Sequence, residues 1–372
     1  MSDQMDTPAP MIHLGNDDIV ELLSMEDTME ALRIGFSQLA SRDAAHVPRM
    51  ELWSPAAQQD AYYCLGSMAG TTKHFGVTAI RIKSDVLHWP EGQRQEKYAV
   101  QPGTFCGFIL LFSSTTGEPL ALINDGILQR MRVGGSAGIA AGHLANPGPN
   151  TLGILGSGNM ARTHAEAIAL ASDLATIRVY SPTQANRETF AKEIQAVTGV
   201  EVSPVATPEA AVEGADIVVT ATNSMVPTLQ PEWIDEGALV LFVTRREVSP
   251  ELIARADRVM QLGEYSIGPD ANVPGMEFPQ SGAGGFVAGN DDERARLPWK
   301  HRAETGQFPS LIDMLAGTVD GRTRPEETIM FINIGAQGVQ FAAVGAKAHE
   351  IARQRAVGAA MPQERFLQDI RD

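Results

Sequence analysis

Cysteine is nearly absent from this chain, with two residues in 372. That excludes a disulfide-stapled scaffold. No Cys-x-x-Cys or His-x-x-x-His spacing occurs either, so no metal centre is expected. Cys64, in Tyr-Tyr-Cys-Leu, and Cys106, in Phe-Cys-Gly-Phe, have apolar neighbours, which suits buried inert thiols better than nucleophiles. Positive charge is also in deficit: 29 Lys and Arg against 45 Asp and Glu leave a net −16. A surface that acidic repels phosphate backbones and anionic lipid, which argues against nucleic-acid or membrane partners. No apolar run approaches the ~18 residues of a membrane span. The opening MSDQMDTPAP lacks the basic-then-apolar order of a secretory signal, so a cytoplasmic setting is expected. What is present, 44% apolar and 20% charged residues, is ordinary globular composition.

From Asp17 to Leu39 apolar residues recur at helical spacing, with acidic residues at the start where they favour the helix dipole. AYYCLGSMAG, GVTAIRIKS and GFILLFSSTTGEPLALIND follow as strands, the last a hairpin turning at Thr115-Thr116-Gly117-Glu118. GILQRMRVGGSAGIAAGHLA then returns to helical spacing, with small residues suited to close helix packing. Asn146-Pro147-Gly148-Pro149-Asn150 marks a domain boundary. Beyond it, strands of continuous Val, Ile and Leu alternate with helices, the rhythm of a parallel sheet covered on both faces. Residues 264–299 are rich in Gly and Pro without a period and are expected to form a long surface loop or insert. ETIMFINIGAQGVQFAAVGAKAHEIARQRAVG closes the pattern as a short strand and a long helix. The expected fold is α/β: a Rossmann-type doubly wound parallel sheet over 148–322, and an α+β domain from 1–147 with 323–372.

The stretch TLGILGSGNMARTHAEA carries the clearest chemistry. Gly156-Ser157-Gly158-Asn159-Met160-Ala161 fits G-x-G-x-x-A between a hydrophobic strand and a helix. Gly156 permits the tight turn, Gly158 lets the backbone approach a pyrophosphate, and Ala161 lets the helix pack close. Asn159 and Met160 open the helix, whose unpaired amides favour phosphate. The next strand ends Tyr180-Ser181-Pro182-Thr183 with no Asp or Glu to grip the ribose diol of NAD. Ser181 and Thr183 can donate hydrogen bonds to a 2′-phosphate, and Arg187 can neutralise it. These residues favour NADP over NAD as the cofactor.

Longer motifs resemble the ornithine cyclodeaminase/mu-crystallin family over most of the chain. HVPRM is similar to its Val-Pro-x-Arg element, IRIKS to its strand lysine, and ALINDGILQRMRVGGSAGIAAGHLA to its arginine helix. VVTATNSMVPTL resembles the loop after its fourth Rossmann strand, and GRTRPEETIMFINIGAQG its final glycine motif. The resemblance implies a homodimer whose first domain binds substrate and dimerises. It implies NAD(P)-dependent chemistry at the α-carbon of an amino or imino acid, by an imine reductase or amino acid dehydrogenase. The cyclodeaminase reaction and a nucleotide-dependent binding protein are the alternatives. Arg49, Lys83 and Arg132 match the cations that grip the substrate's α-carboxylate; Arg81 and Lys73 compete for the same part. Thr222, Asn223, Asn333 and Gly335 match cofactor contacts. A small carboxylate held by cations, arginine best for bidentate geometry, turns its α-carbon to the hydride.

The chain departs from the family after the fifth Rossmann strand. Where a Gly-x-Asp-like loop supplies a catalytic aspartate, this sequence runs GALVLFVTRREV, with Arg245 or Arg246 in its place. That weakens the cyclodeaminase reading and points to a substrate with a second anionic group, a dicarboxylate or a sulfonate. Glu247, Asp85, Asp125 and His88 remain as candidate proton handlers.

Overall fold

The computed structural model describes residues 10–58, 61–88, 95–263, 286–287, 308–368 and 370. The stretch expected as an insert, 264–299, lies outside these, apart from Phe286–Val287, whose main chain pairs with Leu52 and Trp53.

Strict alternation builds the first sheet. Val77–His88 alternates buried and half-buried residues along its whole length, so one face of the strand is covered. That face holds Arg81, Lys83 and Asp85 among apolar residues. Charge on a covered face needs partners, and the site described below supplies them. The strand pairs antiparallel with Ala61–Thr72 and with Cys106–Ser113, and the latter forms the expected hairpin with Pro119–Asn124. Among the described residues this sheet has ten strands.

The second sheet is parallel and seven-stranded, ordered Glu201–Pro204, Leu174–Tyr180, Asn150–Leu155, Ile217–Thr220, Leu239–Phe242, Ile329–Ile332, Arg258–Gln261. Its central strands are buried on both faces, as their unbroken apolar runs require. The Rossmann-type α/β fold is as expected, with two differences of extent. Ile329–Ile332 inserts between Leu239–Phe242 and Arg258–Gln261, so the parallel sheet runs past the boundary expected at 322. Four consecutive buried apolar residues need cover on both sides, and only the parallel sheet offers it. The helical stretch from Asp17 to Leu39 is two helices, Asn16–Leu22 and Met25–Ser41. Ser24 divides them: its hydroxyl accepts from the Asp27 amide while the Asp27 side chain accepts from Ser24, a capping box that starts a new helix.

The helix Asp125–Leu144 leads out of the first sheet and lies along Asn159–Ala171, the helix behind the glycine turn. Gly134, Gly138 and Gly142 face Thr163, Ala167 and Ala171; a Cβ at Gly138 would stand 2.5 Å from the Ala167 carbonyl oxygen. This four-residue ridge of missing side chains brings the arginine helix against the dinucleotide-type turn. After Ile329–Ile332 the chain crosses back, and Gln337–Arg355 packs on the first sheet. No helix among the described residues is long and apolar enough to cross a membrane.

Candidate active site

Where the two sheets face each other lies a cavity of about 450 Å³. Arg49, Lys83 and Arg132, the three expected carboxylate cations, all line it, and Met160, Thr222, Asn223 and Asn333 do so from the Rossmann side. Glu51, Gln95, Lys97, Gln129 and Arg246 line it too. Of these only Arg246 was singled out from sequence; Glu51 and Lys97 stand in short strands with no motif around them.

Lys83 is 5% exposed. Its Nζ lies 3.0 Å from Asp85 Oδ2, 3.6 Å from Glu51 Oε1 and 3.6 Å from Cys64 Sγ. Its cross-strand neighbours are both glycine, Gly66 and Gly107. A Cβ at Gly66 would stand 2.5 Å from Lys83 Cε, and one at Gly107 would overlap the Asp125 carboxylate. The bare backbone at Gly66 therefore makes room for the lysine stem, and that at Gly107 for the Asp125 carboxylate. Glu51 accepts from Arg49 and forms a looser ion pair with Lys83. Burial alone would raise its carboxyl, but Arg49, Lys83 and Lys97 hold it below the ordinary range.

Arg132 is 7% exposed and lies over the Phe341 ring, 4.9 Å from its centroid. Its hydrogen bonds run to neutral amide oxygens, Gln340 Oε1 at 3.2 Å and Gln129 Oε1 at 3.0 Å. Burial, then Arg81 and Arg49, push its guanidinium down. An arginine stays charged regardless, so this cation is short of an anion.

The competitors have other work. Arg81 donates to Asp125 at 2.5 Å beneath the cavity, and Lys73 pairs with Asp43 at 3.0 Å; neither lines the cavity. Nor do the candidate proton handlers Asp85, Asp125, Glu247 and His88. Glu247 is fully buried, accepting from the Thr222 amide at 2.6 Å and the Thr244 hydroxyl at 3.1 Å. Both of its oxygens are engaged in shaping the Thr222 loop. Cys64 is buried and its thiol is pushed up to about 11, chiefly by burial, consistent with inert sulfur.

The glycine turn adjoins the cavity through Met160 and Ala221. Gly156 has φ +113°, and a Cβ there would run into the Ala221 carbonyl. Gly158 differs: a Cβ would meet nothing within 4 Å, so its backbone faces open space. It is the N-cap of Asn159–Ala171 and gives no side-chain cap, which leaves the first amides without an intrahelical partner. Ala161 is buried against the strand side. Ser181 Oγ lies 2.9 Å from Ser157 Oγ. Arg187 donates to the Ser181 carbonyl at 2.8 Å, holding its guanidinium at the end of Leu174–Tyr180. Thr183, exposed, caps the next helix by position only. Gly335 does not line the cavity; at φ +133° it packs against the Gly263 backbone, and its neighbours Ile334 and Gln337 reach the cavity instead.

Asn333 Nδ2 donates to the Val133 carbonyl at 2.9 Å and lies 3.4 Å from His164 Nε2. His164 Nδ1 lies 2.7 Å from the Met160 carbonyl, which assigns the proton to Nδ1 and leaves Nε2 an acceptor. Asn333 Oδ1 is buried with no hydrogen-bond partner. A carboxamide or similar donor entering the cavity would satisfy it. Open Gly158, the uncapped helix and this orphan oxygen together fit a nicotinamide dinucleotide.

Burial pushes the His164 imidazole down to about 4. Since the folded value lies below the unfolded one, the stability it reflects is present above pH ~6.5 and lost as pH falls towards 4, about 3 kcal/mol in all. Acid unfolding should therefore steepen in that window. His164→Asn, which keeps a donor for the Met160 carbonyl, should flatten it; an unchanged profile would remove His164 from the account.

The family model for the ornithine cyclodeaminase/mu-crystallin family matches residues 10–345. The chain belongs to that family. A Delta(1)-pyrroline-2-carboxylate reductase of Bacillus cereus is 30% identical over 263 residues, 68% of this chain and 74% of the relative. The structure of Thermococcus litoralis Delta(1)-pyrroline-2-carboxylate reductase with NADH and L-proline superposes with a TM-score of 0.73 at 22% identity, over 94% of this chain and all of that one. An archaeal alanine dehydrogenase dimer with bound NAD gives 0.70 at 21% identity, over 94% and 98%. At these identities the superpositions establish a shared fold.

Proposed function

We propose that this member of the family is a nicotinamide-dependent reductase of imino acids, able to run in reverse as an amino acid dehydrogenase. The observation that carries the reading is the cavity itself, where buried Arg132, hydrogen-bonded only to amide oxygens, shares a lining with the Rossmann side, whose first helix is uncapped behind an open glycine. The relatives named above bear reductase and dehydrogenase names, which agrees. Bound at Gly156, Gly158, Asn159, Met160 and Ala161, with Thr222, Asn223 and Asn333 beside the ring, the cofactor would supply a hydride to the C=N carbon. Ser181, Thr183 and Arg187 favour NADP over NAD. Arg49, Lys83 and Arg132 hold the substrate carboxylate and so fix which face of the carbon is presented. Lys83, backed by Asp85 and Glu51, also carries a proton for the nitrogen. Desolvation by the surrounding protein protects the imine from hydrolysis. A cyclodeaminase needs a further acid/base in the loop after Leu239–Phe242, and there Glu247 has both oxygens occupied.

The protein is further proposed to be a homodimer. Val47, Met50, Leu52 and Leu65 are exposed on one edge of the first sheet, and Leu52 and Leu65 are direct cross-strand partners. A reaction fed by a reduced nicotinamide pool suits the cytoplasm. Absorbance of the reduced nicotinamide, followed with each cofactor over a panel of 2-oxo acids with ammonia or methylamine, tests the activity. Cofactor consumed in step with amine formed is the expected result, faster with NADPH. Ammonia released from ornithine without net absorbance change would establish the cyclodeaminase instead, and silence in both would leave a binding protein. Light scattering on the same sample should give twice 39.9 kDa.

A further inference from the structure

Three elements converge on Asn333, which follows directly on the strand Ile329–Ile332 and lines the cavity. Val133 comes from the helix Asp125–Leu144, and His164 from Asn159–Ala171, one turn after Met160. Asn333 is 4% exposed and His164 is fully buried. In so closed a place every polar atom of the group has to be accounted for.

The Val133 carbonyl only accepts, so the amide nitrogen of Asn333 must face it, at 2.9 Å. The Met160 carbonyl likewise only accepts, so His164 carries its proton on Nδ1, 2.7 Å away. Nε2 then carries a lone pair, 3.4 Å from Asn333 Nδ2, and takes the second amide hydrogen. Burial disfavours the imidazolium, so that lone pair is kept at neutral pH. Both amide hydrogens are thereby spent and the orientation of the group is fixed. Oδ1 is left over, buried and without a hydrogen-bond partner. The main chain is secured independently, since the Asn333 amide donates to the Phe242 carbonyl at 3.0 Å and Ile329–Ile332 is paired on both sides. Holding the strand therefore does not require the side-chain bonds.

We propose that His164 is a positioning residue: by taking the second amide hydrogen of Asn333, it aims Oδ1 at the cavity as the acceptor for the carboxamide of a nicotinamide ring. This rests on the nicotinamide reading above and deepens it. His164 does not itself line the cavity and acts through Asn333. The carboxamide is carried on the ring carbon next to the one that gives the hydride, so holding the first places the second. Selectivity follows, because a ring substituent without an N–H leaves Oδ1 buried and unsatisfied.

The test measures Kd by calorimetry for NADP+ and NAD+ and for their 3-acetylpyridine analogues, in which a methyl ketone replaces the carboxamide. Each parent cofactor is expected to bind about tenfold more tightly than its analogue, the scale of one buried hydrogen bond. His164→Leu leaves the second amide hydrogen without an acceptor, a cost the amide relieves by turning. Parent affinity should then fall about tenfold while analogue affinity holds. His164→Gln, whose amide oxygen can accept in place of Nε2, should restore the ratio. Asn333→Ala should abolish it, and adding His164→Leu to Asn333→Ala should change nothing further. An equal loss for parent and analogue in His164→Leu, or its full cost in the Asn333→Ala background, overturns the proposal and makes His164 a packing residue. Should His164→Leu fail to fold, Asn333→Ala decides: a ratio that survives it overturns the proposal just as firmly. Binding of none of the four compounds to the unaltered protein would sink the nicotinamide reading itself, and the proposal with it.

Discussion

Arg132→Met is expected to lower kcat/KM about a thousandfold, corresponding to about 4 kcal/mol of lost carboxylate binding, and at the same time to raise the melting temperature. The two effects have one cause. Arg132 is buried, stacked on Phe341 and bonded only to amide oxygens, so the unliganded protein bears the desolvation of a guanidinium without a paired acid. Methionine matches much of the stem and removes a buried charge whose desolvation the folded chain otherwise bears. The partners tolerate it: Gln340 Oε1 keeps the Ser136 hydroxyl at 3.3 Å, and Asp125 keeps Arg81. The loss should appear mainly in KM for the amino acid, with cofactor affinity preserved. Thermal melts and steady-state kinetics on one preparation check both halves. Retained kcat/KM would mean the α-carboxylate binds elsewhere, and a lowered melting temperature would mean Arg132 is a structural strut.

Gly158→Asp should abolish cofactor binding in a protein that folds as well as before. A Cβ at Gly158 meets nothing within 4 Å and φ is −77°, so the backbone accepts a side chain without strain. An aspartate there is a favourable N-cap for Asn159–Ala171, worth a few tenths of a kcal/mol over glycine. It also places a negative charge where the pyrophosphate would lie and occupies the amides meant for it. A loss of about 3 kcal/mol, or more than a hundredfold in Kd, is expected by fluorescence titration with NADPH and NADH. Gly156→Ala provides the contrast, since its left-handed φ and the Ala221 carbonyl make the cost one of folding. Unchanged affinity in Gly158→Asp would show that this turn does not hold a dinucleotide.

Both substitutions separate stability from function because each site keeps something unsatisfied in the folded chain. Arg132 lacks an anion, the helix behind Gly158 lacks a cap, and Asn333 Oδ1 lacks a donor. Natural sequences accept such costs where a ligand repays them.

Local chemistry was enough for much of this protein. Glycines between an apolar strand and a small-residue helix announced the dinucleotide-type turn, and unbroken Val, Ile and Leu runs announced the parallel sheet. The structure adds that Arg81, Lys83 and Asp85 share the covered face of one strand. Sequence could not say which of those charges opens into the cavity. Arg81 is diverted to Asp125, 44 residues away, where Gly107 leaves room for the carboxylate, and the Lys83 stem fits because its cross-strand neighbour Gly66 has no side chain. Ser24 divides an apparently continuous helical pattern because its capping box with Asp27 outweighs the apolar spacing. Ile329–Ile332 joins a sheet whose other strands lie at least 68 residues earlier in the chain, since its apolar faces need cover on both sides. Gln95 and Arg246 meet across 151 residues, and Arg132 and Gln340 across 208. Such meetings come from packing between segments distant in the chain, which leaves no periodic trace in either one.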